Sequence, residues 1–341
     1  MNYELTILGQ TRLCIGRVST LLDSLLPHGR TIIITDATID RLYPDLVHRT
    51  EHIIIGSGEA NKSLNTVASI YDQLMAMGAD RSTFLLGIGG GIVTDITGFV
   101  ASTYMRGLNF GFVSTTLLGQ VDASIGGKNG VNVGGYKNMV GTFRQPSFVI
   151  SDVEMLRTLP LRELRSGMAE AVKSALVGDA ELFEYIEKHA DSDIYTSTEI
   201  LQHIVLRAIA VKADIVERDE HEGGIRRVLN LGHTLGHAIE KCTRELNHGE
   251  AVAIGMSLIA HASAHDKALS HTDAERIDNL LIKLGFRITP PVSLHNIIRE
   301  VKHDKKKVDN ILRIVIPQHI GECCVQERTI DELEKLFSDY E

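Results

Sequence analysis

A strand-like run that leads into three consecutive glycines constrains the fold of this chain more than any other stretch. Residues 83–88 have the apolar composition of a buried strand, residues 89–91 are all glycine, and a helix is predicted from near Val93, with Asp95 in its first turn. This order is typical of a parallel α/β sheet, in which the first turn of the helix can present backbone N–H groups to a pyrophosphate. The stretch is not a Gly-x-Gly-x-x-Gly motif, so dinucleotide binding and a plain tight turn are both open interpretations. Asp36, at the end of an earlier strand, could accept a ribose hydroxyl or be an ordinary turn residue.

The first half of the chain repeats this alternation of strands and helices. Thr31–Thr35 and His52–Ile55 are short apolar runs rich in β-branched residues, and Phe148–Asp152 predicts the last strand of the sheet. Helix-forming composition dominates afterwards. We therefore predict an α/β domain with a parallel sheet over residues 1–157, followed by a helical domain over residues 158–341.

Composition limits the class of protein. The chain of 341 residues, 43% of them hydrophobic, is long enough for two packed domains. The net charge of −9 argues against binding to nucleic acid or to a membrane surface, and no apolar run reaches the ~20 residues of a membrane span. The N-terminus lacks the pattern of a signal peptide. Four cysteines without Cys-x-x-Cys spacing are predicted to be small buried hydrophobes in a reducing cytoplasm: Cys14, Cys242, Cys323 and Cys324.

A dense run of small and polar residues lies between Gly111 and Pro146. It contains an acid, two glycines and a lysine close together, ending at Lys128, and Lys137 and Asn138 follow shortly. A structureless loop of this length is uncommon in a compact domain unless it is functional. We predict a ligand-binding loop whose cations neutralise phosphate or carboxylate, against the alternative of a solvated surface loop.

A histidine-rich stretch, Asn230–Glu240, suggests a metal centre. His233 and His237 lie four residues apart, so on a helix both imidazoles project from one face. The glycine that precedes each histidine suggests a close approach to the helix backbone. With His248, spacing alone proposes a divalent metal bound by two or three imidazoles and a carboxylate. The alternative is no site at all, because such histidine pairs also occur without a role.

The carboxylate for this centre is predicted to be Glu170. It shares a helical face with Lys173 among small and apolar neighbours, where an acid is rarely without a role. The later run Asp304–Lys307 is interpreted from composition alone as a solvated charged segment.

Eight motifs, in order along the chain, closely resemble those of the 3-dehydroquinate synthase family. They are Gly89-Gly-Gly-Ile-Val-Thr-Asp95, Tyr104-Met-Arg106-Gly, Thr115-Thr-Leu-Leu, Val121-Asp-Ala-Ser-Ile-Gly-Gly-Lys128, Lys137-Asn-Met-Val-Gly, Gly167-Met-Ala-Glu170-Ala-Val-Lys173, Asn230-Leu-Gly-His-Thr-Leu-Gly-His237 and His248-Gly-Glu-Ala-Val. The resemblance extends from about Asp36 to Lys307.

This resemblance implies a Rossmann-like N-terminal domain that binds NAD and a C-terminal helical domain that binds metal and substrate, with the active site in the cleft between them. It implies a cytoplasmic homodimer and a carbon–oxygen lyase of the shikimate pathway, which leads to chorismate and the aromatic amino acids. The implied reaction converts 3-deoxy-D-arabino-heptulosonate 7-phosphate to 3-dehydroquinate and phosphate. The implied steps are NAD-mediated oxidation, phosphate elimination, re-reduction and an intramolecular aldol closure, and the implied metal is zinc or cobalt.

Site residues are also implied by the resemblance. The metal ligands are Glu170, His233 and His248, whereas His237, a ligand by spacing, faces the substrate instead. Residues implied at the substrate are Lys128, Asn138, Lys173, Lys212, Arg226, Asn230 and His237, with Arg106 reaching a phosphate from the partner subunit and Lys306 or its neighbour Lys305 as the last contact. Residues implied at NAD are Asp36, Glu59, Lys62, Gly90, Gly91, Ile92, Asp95, Thr115, Thr116, Asp122, Lys128, Lys137, Thr158 and Leu159.

Two positions depart from the family pattern. Asn129 stands where threonine is expected and Tyr136 where glycine is expected. Both fall in the predicted substrate and cofactor loop, which keeps two alternatives open: another sugar phosphate cyclase, and a metal-dependent polyol dehydrogenase of similar fold. A binding protein without catalytic activity is disfavoured because every implied metal and lysine position is filled. A substrate with two anionic groups, rather than a simple polyol, is favoured by the intact cations Lys128, Lys173, Lys212 and Arg226.

Overall fold

The computed structural model describes residues 2–191, 193–243, 245–305 and 311–337. The chain divides into two compact units, Met1–Pro160 and Leu161–Glu341. The boundary predicted between residues 157 and 158 falls just before this division, inside the 3-10 helix Val153–Thr158.

The first unit is built around a seven-stranded sheet with a separate hairpin. Its strands are β1 (Tyr3–Ile7), β2 (Thr11–Ile15), β3 (Thr31–Asp36), β4 (His52–Ile55), β5 (Phe84–Gly89), β6 (Phe110–Ser114), β7 (Lys128–Val133), β8 (Tyr136–Phe143) and β9 (Phe148–Ser151). The sheet order is β1-β2-β9-β6-β5-β3-β4, and all its pairs are parallel except β1 with β2. The central strands β5, β6 and β9 are buried at every position, because helices cover both faces of a parallel sheet.

The α-helices described in this unit are α1 (Val18–Leu25), α2 (Ala37–Leu42), α3 (Pro44–Val47), α4 (Leu64–Ala76) and α5 (Gly91–Thr103). One buried cluster joins side chains of α1 and α3 to the sheet, including Leu22, Val47, Ile33, Leu86 and Ile150. Each such side chain contributes about 1.5–3 kcal/mol by leaving water. The apolar β-branched runs are thus what fixes the strands at the centre of the unit.

The prediction of a long loop between Gly111 and Pro146 is wrong. The segment contains β6, a π-helical turn over Gly119–Ala123 and the antiparallel hairpin of β7 and β8. Gln120, in the π turn, donates from Nε2 to the backbone oxygens of Ser114 and Asp152, at 3.0 and 2.8 Å. These two bonds connect the turn to the ends of β6 and β9, a long-range contact that local composition does not reveal.

The second unit is helical with one added hairpin. Its helices are α6 (Leu161–Gly178), α7 (Ala180–His189), α8 (Thr198–Arg218), α9 (His233–Cys242), α10 (His248–His265), α11 (His271–Lys283), α12 (Leu294–Lys305) and α13 (Ile330–Phe337), and its strands are β10 (Ile311–His319) and β11 (Glu322–Thr329). The two strands pair antiparallel, and no strand is predicted in this region from the sequence. Within the described residues, no helix has the length and apolarity that crossing a bilayer requires.

The cysteines match their prediction only in part. None of the four forms a disulfide, and Cys14 is buried in β2. The other three are only half-buried. Burial raises the pKa of the Cys323 thiol well above its usual range, which keeps this group in the unreactive thiol form.

Asp179 connects the start of α7 to α8 and is expected to make the stability of this unit depend on pH. Its Oδ1 accepts the Leu182 backbone N–H at 3.0 Å, and Arg207 donates from Nε to Oδ2 at 2.7 Å. Partial burial raises the pKa of Asp179, but the hydrogen bonds from Arg207 and from the Leu182 N–H outweigh this effect and hold the pKa below its usual value. A carboxyl group whose pKa is lower in the folded than in the unfolded protein stabilises the fold at pH values above its unfolded-state pKa of about 3.9. This stabilisation is lost as the pH falls through the folded-state pKa.

Asp179→Asn is therefore expected to lower the free energy of unfolding by about 1–2 kcal/mol at pH 7. The difference from the parent should shrink as the pH falls below about 4. Urea unfolding at several pH values measures it, with Asp214→Asn as the control because Asp214 and its partner Arg218 are both exposed. A penalty that stays constant down to pH 3 would show that the charge is not responsible.

Candidate active site

Glycines let helix α10 approach helices α9 and α6 closely. A Cβ atom on Gly232 would lie 2.7 Å from Cγ of Met256 and 2.8 Å from the backbone oxygen of Val252, and one on Gly236 would lie 3.1 Å from Val252 Cα. A Cβ atom on Gly249 would clash with the backbone of Ser166 in α6. The close approach predicted from the glycines is therefore that of a neighbouring helix.

The start of the histidine helix differs from the sequence prediction. Helix α9 begins at His233, and Gly232 lies outside it as the N-cap, with a left-handed φ of 75°. This conformation favours glycine because it carries no Cβ. Gly249 lies in the first turn of α10.

Several contacts fix the first turn of α10 on α6. Asn247 and Glu250 form a capping box, in which the Asn247 side chain accepts the Glu250 N–H and the Glu250 carboxylate accepts the Asn247 N–H. Glu250 also pairs with Arg162 at 2.6 Å, and Ser166 Oγ accepts the Gly249 N–H at 3.1 Å. His248, the first residue of α10, is thereby held beside α6.

Glu170, His233 and His248 converge from these three helices. Glu170 is fully buried, and its Oε1 lies 3.6 Å from Nε2 of His233 and 3.3 Å from Nε2 of His248. The three groups lie close enough together to hold one metal ion. Two imidazoles and a carboxylate are a donor set that suits zinc and leaves coordination positions for a substrate.

The second nitrogen of each imidazole has its own acceptor. Nδ1 of His233 lies 3.0 Å from the backbone oxygen of Leu231, and Nδ1 of His248 lies 3.4 Å from Oε2 of Glu240. In a neutral imidazole, a proton on Nδ1 leaves the lone pair on Nε2, which is the tautomer that a metal requires. His248 reaches this form by releasing the proton on its Nε2. Glu240 was missed by the sequence analysis, although it lies one turn after His237 on α9.

The pKa values of His233 and His248 shift in opposite directions. Burial lowers the pKa of His233 to about 3, so this ring is neutral at physiological pH. Although burial lowers it, contacts with Glu170 and Glu240 raise the pKa of His248 to about 9. Burial raises the pKa of Glu170, but Lys173, His233 and His248 outweigh it and hold this pKa well below its usual range. The carboxylate is therefore ionised and ready to bind a cation.

His237 lies beside the cluster. Its ring centroid is 5.3 Å from that of His233, in an edge-on arrangement, and 5.9 Å from that of His248. With Glu240 and His248 it forms a second group in which ligand atoms approach one another, but this group is more exposed than the first. The geometry favours Glu170 over His237 as the third member of a buried metal group.

Buried cations lie on α6 and on two elements that contact it. Lys173 Nζ lies 2.5 Å from Oε2 of Glu170, and the side chain of Lys173 is 2% exposed. Lys212 on α8 and Arg226 in the 3-10 helix Ile225–Asn230 are also buried. Arg226 donates from Nη1 to the backbone oxygen of Glu220. Such a concentration of buried positive charge suits an anionic ligand.

Asn230 has a carboxylate partner that the sequence analysis missed. Its Nδ2 donates to Oε1 of Glu222 at 2.7 Å. Glu222 has a φ of 59°, a left-handed value that is uncommon outside glycine and frequent at functional sites. Asp219 stabilises this turn by accepting the backbone N–H groups of Gly224 and Arg226, at 2.7 and 3.0 Å. The Gly-Gly pair after Glu222 is the only sequence signal for the turn.

The glycine turn of the first unit opens directly into α5. Gly90 is the N-cap of α5, and no side chain caps this helix. A Cβ atom on Gly89 would lie 2.5 Å from Val93, and one on Gly90 would lie 2.8 Å from Thr116. The Oγ1 atom of Thr115 is buried and has no hydrogen-bond partner among the described residues. Glycines are therefore required for packing here, and they also leave the helix N-terminus uncovered.

Several residues implied at NAD or the substrate make hydrogen bonds near the hairpin of β7 and β8, and one, Asp36, does so at the end of β3. Lys62, 6% exposed, donates from Nζ to Asp95 and to Oδ1 of Asn138, the latter at 2.5 Å. Glu59 accepts Nδ2 of Asn132 at 2.7 Å. Asp36 caps α2, its Oδ1 accepting the Thr38 N–H at 2.7 Å and the Ile39 N–H at 3.2 Å. The ordinary turn role of Asp36 is thus present whether or not it binds a ribose.

The other implied residues are more dispersed. Thr158 Oγ1 lies 2.8 Å from the Tyr43 hydroxyl, and Leu159 follows it. Gly91 and Ile92 lie in the first turn of α5, Thr116 Oγ1 accepts the Gly119 N–H, and Asp122 lies in the π turn. Lys128 and Lys137 are exposed on β7 and β8, and Arg106 is exposed in the 3-10 turn Tyr104–Arg106. Lys306 lies outside the described residues.

Asn129 has a structural explanation. Its side chain is buried and donates from Nδ2 to the backbone oxygens of Gly127 and Arg144, both at 2.9 Å. A Cβ atom on Gly98 of α5 would clash with its Oδ1. This departure from the family pattern therefore concerns packing of β7 on α5.

Two family descriptions match the sequence, 3-dehydroquinate synthase N-terminal over residues 52–166 and 3-dehydroquinate synthase C-terminal over residues 167–307. The 3-dehydroquinate synthase of Ruminiclostridium cellulolyticum is 37% identical over 324 residues, which cover 91% of this chain and 90% of the relative. That of a Nostoc species is 42% identical over 288 residues, covering 82% and 79%. The chain belongs to the 3-dehydroquinate synthase family. Membership confirms the resemblance inferred from the eight motifs.

A solved structure of similar fold supports the same conclusion. The 2-epi-5-epi-valiolone synthase of Streptomyces hygroscopicus subsp. jinggangensis, with NAD+ and Zn2+ bound, matches at a TM-score of 0.87 and 30% identity. The match covers 96% of this chain and 95% of the other. The fold class predicted for the family, a parallel-sheet domain and a helical domain, is confirmed.

Proposed function

We propose that this protein is a 3-dehydroquinate synthase that converts 3-deoxy-D-arabino-heptulosonate 7-phosphate to 3-dehydroquinate and inorganic phosphate. The observation that carries the proposal is the convergence of Glu170, His233 and His248 beside the buried Lys173, in a chain of this family. The family match supplies the reaction, and the site supplies the groups that the reaction needs.

The residues present fit a divalent metal and NAD. Glu170 presents a fully buried carboxylate within 3.6 Å of the Nε2 atoms of His233 and His248, a donor set that fits a divalent cation. The uncapped start of α5, with its glycines, fits a pyrophosphate. When bound, the metal supplies a Lewis acid and NAD supplies a hydride acceptor that is regenerated within one turnover.

The protein's own side chains bind and orient the substrate in this proposal. Lys173, Lys212 and Arg226 provide buried positive charge for the carboxylate and phosphate groups. Asn230 is held by Glu222, which leaves its amide oxygen to face a ligand. Fixing one conformer of a flexible open-chain intermediate is the main contribution that such contacts make to an intramolecular ring closure.

Another sugar phosphate cyclase is the second candidate. It is favoured by the 30% identity to 2-epi-5-epi-valiolone synthase, which is itself bound to NAD+ and Zn2+. The relatives named 3-dehydroquinate synthase are more similar in sequence, which favours the first candidate.

Phosphate release from 3-deoxy-D-arabino-heptulosonate 7-phosphate, with catalytic NAD, tests the proposal. Release that a chelator abolishes, without net NADH absorbance, is expected. Absence of release with this substrate, but turnover of another sugar phosphate, would support the second candidate. Steady accumulation of NADH with a polyol would contradict both and indicate a dehydrogenase.

We also propose that the enzyme is a homodimer in the cytoplasm and that Arg106 acts across the subunit interface. Met105 and Arg106 both have left-handed φ values, 50° and 68°, and Met105 is 44% exposed. A Cβ atom on Gly107 would lie 2.5 Å from Arg144, the neighbour of Phe143, which is 45% exposed. A strained backbone that presents a cation beside exposed apolar side chains fits an interface with a second copy.

Complementation between inactive variants tests this arrangement. Arg106→Ala and His248→Ala are each expected to be inactive, whereas mixing them under conditions of subunit exchange should restore activity. In the mixed dimer, one site has an intact His248 and receives Arg106 from the other subunit. Phosphate release measures the recovery, and a mixture of His248→Ala with His233→Ala is the control that should stay inactive. A mixture of Arg106→Ala and His248→Ala without activity would contradict the proposal.

A further inference from the structure

Asn132 lies opposite a bulge in the hairpin of the first unit. Strands β7 and β8 pair Val131 with Val140 and then Val133 with Tyr136, and the register shifts between these pairs. The Asn132 backbone N–H donates instead to the backbone oxygen of Lys62 at 2.9 Å. The extra residues are on β8, where residues 137–139, including Asn138, stand opposite Asn132 alone. Bulges next to active sites commonly redirect a side chain.

Both ends of the Asn132 amide group are used. Its Oδ1 accepts the backbone N–H of Asn138 at 2.9 Å, and its Nδ2 donates to Oε1 of Glu59 at 2.7 Å. Asn138 has a φ of 52°, so its backbone is in the left-handed region. The bond from Asn132 stabilises that conformation, which an asparagine tolerates better than most residues.

A second bridge runs parallel to the first. Lys62 donates from Nζ to Oδ1 of Asn138 at 2.5 Å and also contacts Asp95 in α5. Glu59 and Lys62 belong to one short segment, with Glu59 in the 3-10 helix Glu59–Asn61 and Lys62 directly after it. The segment implied at NAD and the residue implied at the substrate are therefore joined twice, once by Lys62 and once by Asn132.

We propose that Asn132 is a positioning residue that couples the cofactor-binding segment to Asn138, so that the two are ordered together. This inference rests on the proposed function for its ligands. A side-chain amide is required because its Nδ2 donates to Glu59 while its Oδ1 accepts from Asn138. An aspartate at this position would set a carboxylate against that of Glu59, and the repulsion would move it away from both Glu59 and the Asn138 N–H.

A substitution of Asn132 is expected to change NAD binding and KM, which the loss of a merely structural residue would not do selectively. Breaking the Glu59 bond should weaken NAD binding, because Glu59 and the Lys62 segment lose their preferred position. It should also raise KM for the sugar phosphate more than it lowers kcat, since Asn138 is misplaced before the substrate binds. A hydrogen bond to a charged group corresponds to a change of about tenfold in an equilibrium constant.

The test compares Asn132→Asp with Asn65→Asp, a control for the same chemical change at an exposed position on α4. NAD binding is measured by calorimetry on the full-length protein, and KM and kcat are measured separately. Hydrogen exchange of the ligand-free protein follows the backbone amides of residues 136–143. We expect the NAD dissociation constant to rise about tenfold and the Asn138 amide to exchange faster in Asn132→Asp only.

Reversing the donor and acceptor of the hydrogen bond between residues 59 and 132 should rescue NAD binding. In the Glu59→Gln background, the glutamine amide can donate to an aspartate at position 132, so Asn132→Asp should then cost little further NAD affinity. A tenfold loss in the parent background and almost none in the Glu59→Gln background would support coupling through this bond. Equal losses in both backgrounds, or unchanged NAD affinity and amide exchange in Asn132→Asp, would overturn it. A parent protein that binds no NAD would overturn the proposed function and the coupling together, whereas the previous outcomes leave the proposed function intact.

Discussion

Glu170→Ala is expected to abolish metal binding and to lower phosphate release about a thousandfold or more. Glu170 supplies the only carboxylate within the buried group formed with His233 and His248 in the part of the chain that the structure describes. Its oxygens are fully buried, so no water replaces the missing ligand at low cost. Metal content after dialysis, zinc titration and phosphate release measure the loss. Glu163→Ala, which removes an exposed carboxylate from the same helix, is the matched control.

Glu170→Ala is also expected to lower the free energy of unfolding, and this effect must be distinguished from the loss of metal binding and activity. Lys173 lies 2.5 Å from Glu170 and is almost fully buried, so its charge is left without this counter-ion. Breaking a buried pair in this way costs about 3–5 kcal/mol. Adding Lys173→Met to Glu170→Ala should recover much of the free energy of unfolding but no metal binding. Recovery of metal binding in the double variant, or tight zinc binding by Glu170→Ala itself, would contradict the assignment of Glu170 as a ligand.

Lys173→Met is expected to lower turnover by on the order of a hundredfold to a thousandfold while the metal is retained. Lys173 places a buried positive charge beside the predicted metal ligands, where it would stabilise negative charge on the substrate. In the metal-free protein it also neutralises Glu170. Zinc affinity should therefore stay the same or increase, because the metal no longer competes with this ammonium group for the carboxylate.

Two measurements separate these effects. Zinc affinity is obtained by competition with a chromophoric chelator, and turnover is obtained from phosphate release. Lys188→Met, at an exposed position on α7, controls for the loss of a lysine. If Lys173→Met lost its zinc, Lys173 would be needed to build the metal centre, and its proposed role at the substrate would be wrong.

Local features were predicted well from the sequence. Strand β4 has the predicted bounds of His52–Ile55, and β3 extends the predicted Thr31–Thr35 by one residue, Asp36. These features depend on residues close together in the chain, so composition and spacing contain the necessary information.

Features that depend on distant residues were not predicted from composition and spacing. The segment between Gly111 and Pro146 was interpreted as a loop because the connections of Gln120 to Ser114 and Asp152 are invisible in local composition. Spacing likewise proposed His237 as a ligand from its position relative to His233. The structure places Glu170 in that buried group and leaves His237 beside it.

The sequence by itself determined the alternation of buried strands and helices, the glycine turn before α5 and, through its motifs, the family. Composition and spacing proposed Glu170, His233 and His248 but could not separate His237 from this group, because the members lie on three helices that are separate in the chain. Tertiary packing decided this, through the glycines that let α10 approach α6 and α9 within backbone contact. It also decided the positions of Glu240, Glu222 and Asn132, whose partners are fixed by a helix pair, a left-handed turn and a β-bulge.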